Sequence, residues 1–166
     1  MVMFRNMRRF KQALSLEESR KILERGTSGV LAVSGDDDYP YAVPLSFVYD
    51  AENSRLYFHC AKSGHKLDAI KRNCKASFCV IDQDHIVPED YTSYFRSVIV
   101  FGKMRIIENE TQKRNAIERL ALKYAPADEE TNRQKAIHKD YKSVCLLELQ
   151  IEHMTGKEAL ELAVHR

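Results

Sequence analysis

The sequence has no run of the roughly 18 to 20 apolar residues that a bilayer-spanning helix needs. Its first residues, Met1 to Lys11, are basic without the apolar core of a secretory signal. Both absences make the cytoplasm the expected compartment and exclude a membrane partner. An excess of charge is missing too: 26 Lys and Arg stand against 24 Asp and Glu, a net charge of +2. That balance creates no broad field toward nucleic acid, so any anionic ligand has to be caught locally. Cys60, Cys74, Cys79 and Cys145 show no Cys-x-x-Cys spacing and read as free thiols. His59, Cys60 and His65 lack a second pair at metal-ligand spacing, and His59 and Cys60 would point to opposite faces of a strand, so no metal site is expected. No Gly-x-Gly-x-x-Gly follows a strand, which argues against a Rossmann domain. There is no internal repeat or low-complexity stretch, and the length of 166 residues suits one domain spanning 1–166.

What is present is a succession of short strands. Ser15-Leu16-Glu17-Glu18 fits a capping box and predicts a helix to about Arg25, stopped at Gly26 as a left-handed C-terminal residue. Gly29 to Val33 reads as a buried strand. Pro40 to Tyr49 alternates, with Ala42, Pro44, Ser46 and Val48 on one face and Tyr41, Val43, Leu45, Phe47 and Tyr49 on the other. A turn at Asp50 to Ser54 would return the chain into Leu56 to Cys60 as a hairpin. A short helix is expected over His65 to Asn73, and strands over Ala76 to Asp82 and Arg96 to Ile107, the latter with a bend or bulge at Gly102. Gln83 to Ser93 reads as a polar loop. Helices are predicted over Asn109 to Tyr124 and Glu129 to Lys139, and a closing strand over Ser143 to Ile151. These six strands, joined mostly by short turns with helices outside them, predict a mainly β fold: a six-stranded antiparallel barrel, closed or partly split, because closure removes exposed edges.

Three stretches can carry chemistry. In Phe58-His-Cys-Ala-Lys-Ser-Gly-His-Lys66 a strand end passes through small residues into a helix start. Such a junction aims free backbone N–H groups and the positive end of the helix dipole at one point, and Lys62, His65 and Lys66 add donors and charge. It suits a phosphate monoester; the same residues also fit a plain cap at Ser63 with solvated lysines. Pro44 lacks an N–H, so Tyr41-Ala-Val-Pro-Leu-Ser46 reads as a strand edge or bulge whose neighbouring backbone groups are free for a flat ring, or as an ordinary edge strand. Arg96 and Ser97 open a strongly apolar strand, where an arginine either forks onto phosphate or carboxylate or is simply solvated. Arg8 and Arg9 belong to a leading segment of the kind that is commonly disordered. Asp36 to Asp38 and Asp128 to Glu130 read as solvated turns.

Taken in order, Tyr41 to Tyr49, Leu56 to Lys66 and Arg96 to Gly102 resemble the nitroimidazole-resistance (Nim) flavoproteins of the pyridoxamine 5′-phosphate oxidase-like, FMN-binding split-barrel superfamily. The resemblance implies a homodimer with FMN at the subunit interface. It implies Val43, Pro44, Leu45 and Ser46 bordering the flavin ring, His59, Cys60 and Ala61 beside it, and His65 with Lys66 at the phosphate. Arg96 and Ser97 would approach from other strands or from the partner subunit. His59 matches the Nim histidine near the reactive face and is the one candidate catalytic contact. The chain ends Lys157-Glu-Ala-Leu-Glu-Leu-Ala-Val-His-Arg166, without the arginine-rich segment of the oxidases proper, which disfavours vitamin B6 oxidation. The expected activity is therefore reduction of a small electron-poor compound with reduced nicotinamide as donor; the alternative is a non-enzymatic flavin- or haem-binding module.

Overall fold

Helix α1 (Leu16–Arg25) begins where the capping box places it: Ser15 Oγ accepts from Glu18 N–H at 3.1 Å, and Ser15 N–H donates to Glu18 Oε2 at 2.9 Å. The computed structural model describes residues 4–164. Gly26 departs from the sequence expectation, since its φ of −61° is not left-handed. It is needed for its size, because a Cβ there would meet Ile22 O and Val80 Cγ1 at 3.0 Å.

Among the described residues eight strands form one antiparallel sheet: β1 (Ala13–Leu14), β2 (Ser28–Ser34), β3 (Pro40–Ser46), β4 (Val48–Asp50), β5 (Arg55–Ala61), β6 (Lys75–Val87), β7 (Thr92–Ile106) and β8 (Val144–Glu158). The order is β3-β2-β6-β7-β8-β5-β4, with β1 pairing on β8. β3 and β4 are two halves of one extended segment interrupted only at Phe47, so the two ends of the sheet are the same piece of chain. The sheet thus closes into a barrel that is split where β3 has turned away from β5. Peripheral helices α2 (His65–Arg72), α3 (Glu110–Tyr124), α4 (Glu130–Asp140) and α5 (Leu160–Ala163) complete the fold. No helix among the described residues is long and apolar enough to cross a membrane.

The expected count of six strands becomes eight because Phe47 divides one strand and β1 adds a two-residue pair. The polar loop expected over Gln83 to Ser93 is a second correction. β6 and β7 run on as a ladder from Gln83↔Arg96 to Val87↔Thr92, past a bulge between Ile81 and Gln83, and turn over Pro88–Asp90. Ile86 and Tyr91 are exposed there, so the hairpin is held by its backbone ladder rather than by burial, and its composition carries no apolar alternation. The last strand also continues beyond Ile151 to Glu158. Gly102 does lie at a register shift, between Phe101 and Gly102, where a Cβ would come within 2.1 Å of Gln150 O.

Leu31, Phe58, Phe78, Val98, Val100, Leu147 and Leu149 fill the barrel. Phe78 meets Phe47 and Phe58 edge-on, at centroid distances of 5.0 and 5.1 Å. A smaller cluster of Tyr57, Ile107, Ala116, Leu120 and Leu146 lies under α3. Beside it the buried Glu148 is held by Arg105, at 2.8 Å from each carboxylate oxygen, and by Arg55 at 3.1 Å.

Candidate functional site

β5 pairs with β4 only through Arg55, Leu56 and Tyr57, while β3 pairs only with β2. The rest of each strand, residues 41–46 and 58–61, borders the split in the barrel, and among the described residues the ladder groups on those edges serve no neighbouring strand. Val43, Pro44, Leu45 and Ser46 form one bank of this seam, and His59, Cys60 and Ala61 the other. Val43 and Leu45 lean into the core, whereas Pro44 and Ser46 are exposed.

Helix α2 starts at the end of the seam. Gly64 has φ +132° and ψ 166°, a conformation essentially reserved for glycine, and among the described residues no atom from a more distant part of the chain lies within 4 Å of a Cβ built there. The first helical bond is Leu67 N–H to Gly64 O at 2.9 Å, so the His65 and Lys66 amides lie ahead of the ladder as donors. The His65 ring stacks on Tyr41 of β3 at 4.1 Å. Its Nε2 accepts from Asp36 N–H at 3.3 Å and lies 3.6 Å from the Asp36 carboxylate, which also pairs with Arg72 at 2.8 Å. Lys66 is half-buried on the β5 side, where its charge acts on Cys60. The helix start therefore sets one basic side chain toward each bank. Asp36 and Arg72 are the participants that sequence reasoning missed, and Tyr41, named within a candidate stretch, was given no role. The aspartate read as part of a solvated turn, and nothing local ties a β2–β3 turn to a helix 29 residues later.

Cys60 faces inward, directly opposite Cys145 in the ladder. Burial above all, with Cys145 adding to it and Lys66 opposing, pushes the Cys60 thiol from the usual 9.0 up to about 11. It is a neutral seam-lining group at physiological pH. Because the folded chain keeps this proton after the unfolded chain has lost it, the contribution to stability is complete below pH 9 and disappears as pH rises through about 11. Iodoacetamide is expected to label the exposed Cys74 at pH 8 while Cys60 reacts only toward pH 11, as followed by peptide mass. Rapid labelling of Cys60 at pH 8 would contradict the burial.

His59 points the other way, into a pocket of about 310 Å³ between β5 and the helices α3 and α4. Ile117, Leu120, Ala121, Ala136 and Ile137 line it, with Asp140 and Ser143 beside them. The pocket lies near the closing end of the seam, because the Tyr124 hydroxyl accepts from Phe47 N–H at 3.0 Å and donates to the Thr27 carbonyl. Lys123 donates to the Gly26 carbonyl and lies over the Phe47 ring at 4.5 Å.

Arg96 and Ser97 are not brought to the seam of their own chain. β7 is separated from β3 by two strands and from β5 by one. Arg96 is neither solvated nor free: its Nε donates to the buried Glu158 at 3.1 Å, its register partner on β8. Ser97 instead shares the outer sheet face with Ile99 and Phe101. Across that face Pro44, Val30, Cys79, Ile99 and Thr155 stand in one row and Ala42, Ala32, Ser77, Phe101 and His153 in the next. Phe4 stacks on His153 at 4.7 Å and tilts against Phe101 at 5.6 Å.

Solved structures with the same fold include a 5-nitroimidazole antibiotic resistance protein from Bacteroides thetaiotaomicron, 21% identical over 88% of this chain and 86% of that one, with a TM-score of 0.71. A flavocytochrome from Azotobacter vinelandii is 19% identical over 93% of this chain and 72% of that one, with a TM-score of 0.77. A FAD-binding protein from Mesorhizobium loti is 23% identical over 89% of this chain and 97% of that one, with a TM-score of 0.63. At these identities the likeness shows the split-barrel fold. No curated protein sequence matches the chain. The profile of the pyridoxamine 5′-phosphate oxidase family, however, matches residues 15–158, nearly the whole barrel from the α1 cap to the end of β8, and the chain belongs to that family.

Proposed function

We propose that the chain, as one domain over residues 1–166, is a cytoplasmic FMN-binding flavoprotein that reduces small electron-poor compounds such as nitroaromatics and works as a homodimer. The observation that carries this reading is the seam: two strand edges with free backbone groups, ending at a basic helix start. Backbone groups of Val43 to Ser46 on one bank and of His59 to Ala61 on the other offer donors and acceptors to the rim of a planar ring. His65, Lys66 and their amides would hold the phosphate, and Tyr41 keeps the His65 ring in place. The flavin-binding neighbours from Azotobacter vinelandii and Mesorhizobium loti support the cofactor class. When bound, FMN supplies hydride and electron chemistry at its own N5. His59 is the polar side chain that reaches from β5 into the apolar pocket, where it can donate a hydrogen bond to the oxygen of a substrate held there.

Ser97 would reach the site from a second copy, whereas Arg96, on the opposite face of β7 and held by Glu158, stays with its own chain. Val30, Ile99 and Phe101, each 38% exposed, make an apolar sheet face beside the seam, and an isologous pairing over it would bring Ser97 of one copy toward the other's β3. Phe101→Glu is expected to convert a dimer to a monomer in analytical ultracentrifugation without unfolding the barrel. A wild-type chain that sediments as a monomer would refute the pairing.

Protein purified without added cofactor should be yellow with an oxidised-flavin spectrum, release FMN by mass, and oxidise NADH or NADPH in the presence of a nitroaromatic. A Soret band would replace flavin by haem, and protein that is colourless and gains no thermal stability with FMN would remove the cofactor claim. FMN binding without turnover would leave a binding module and refute the reductase.

A further inference from the structure

Away from the seam, a cavity of about 500 Å³ lies between residues 8–12, the start of β7 and the start of α5 with Ala159 before it. We propose that it is a second binding site, for a nucleotide-like ligand that combines phosphate groups with an aromatic ring.

The first support is charge. Arg8, Arg9 and Lys11 all line the cavity, against one carboxylate, Glu161. Among the described residues none of the three has an ion-pair partner. Elsewhere Arg25, Arg55, Arg96 and Arg105 each hold a carboxylate. Nor do the cations sit on a loose tail. Phe10–Gln12 forms a 3-10 turn closed by Gln12 N–H to Arg9 O at 3.0 Å, and the following β1 pairs with Gly156 and Lys157 of β8. An arginine held in this way can fork onto phosphate at little further ordering cost.

The second support is an orphaned polar atom. Gln12 is 7% exposed and lines the cavity, yet among the described residues its Oε1 has no hydrogen-bond partner. Buried side-chain acceptors left in that state are rare. A ligand carrying both phosphate oxygens and hydroxyl or amino donors would satisfy Gln12 and the cations together. Thr92 and Ser93 on the facing wall add hydroxyls that can donate or accept.

The third support is the ring surface. Phe10 is 72% exposed although it flanks the cavity, and Phe95 stands on the opposite wall with Lys157 Nζ 5.2 Å from its centroid. An exposed ring and a half-buried one beside cations suit an aromatic base as well as its phosphates. The volume is of the size that accommodates small molecules and not polymers, and the chain's net charge of +2 provides no field to gather nucleic acid.

The test is calorimetric titration of ADP into the full chain saturated with FMN, so that the seam is already filled. The expected result is saturable binding that weakens at least roughly tenfold in Arg8→Ala/Arg9→Ala, as loss of charge-assisted contacts requires. FMN affinity and melting temperature should stay unchanged, because both arginines are exposed. Phe10→Ala should weaken ADP and leave pyrophosphate as it was. The proposal is overturned if ADP gives no binding heat at millimolar concentration, if adenosine binds as tightly as ADP, or if the arginine variant binds ADP like wild type. A parallel fall in FMN affinity would also overturn it, by assigning these cations to the flavin. Should FMN not bind at all, the same titration on the chain alone tests this site independently of the seam.

Discussion

Replacing His65 and Lys66 together by alanine is expected to weaken FMN binding by roughly 10² to 10⁴-fold, since each hydrogen bond to a charged group contributes about 1.5 to 3 kcal/mol. His65 is exposed and rests on Tyr41, while Lys66 is half-buried above the β5 bank. Neither belongs to the barrel core, so the FMN-free variant should melt close to wild type. The two backbone amides remain, which is why affinity should fall without vanishing. His59→Ala serves as the contrast. Its side chain faces the α3–α4 pocket, so FMN affinity should persist while turnover of a nitroaromatic drops. Wild-type affinity in the double variant would place the phosphate elsewhere and undo the seam assignment.

Phe78→Ala is expected to cost about 3 to 5 kcal/mol in urea unfolding, the usual range for deleting a buried aromatic ring. Phe78 is fully buried, and its ring is the common neighbour of Phe47, where β3 becomes β4, and Phe58, where β5 leaves β4. Gly29 marks how closely the ring is packed, because a Cβ there would lie 2.6 Å from it. Both banks of the seam hang from this trio, so FMN affinity should fall along with stability. A typical domain has only about 5 to 15 kcal/mol in hand, so the variant should still fold but denature at a much lower urea concentration. Phe101→Ala, on the outer face, should cost far less. A loss under about 1 kcal/mol for Phe78→Ala would mean that the cavity collapses freely and that the ring does not organise the closure.

The amino-acid order by itself determined whatever depends on near neighbours. The capping box at Ser15 and Glu18, the alternation of Pro40 to Tyr49, the bulge at Gly102 and the helix start after Gly64 are each set within a few residues, and each is found in the fold. The two banks of the seam were legible for the same reason, as a proline-bearing edge and a strand running into a basic turn. Tertiary structure decided the rest. The outer part of the β6–β7 ladder, from Gln83 to Thr92, carries no apolar alternation and shows itself only once the partner strand is in place. Glu158 claims Arg96 across 62 residues, and Asp36 meets His65 and Arg72 through a turn that looked merely solvated. Arg8 and Arg9, part of an ordinary basic leader in the sequence, become the wall of a cavity because Ala13 and Leu14 pair with the far end of β8. Capping and alternation are short-range effects written in residue spacing. Strand partners, buried charges and cavities arise from contacts between distant segments, and these exist only after the barrel has closed.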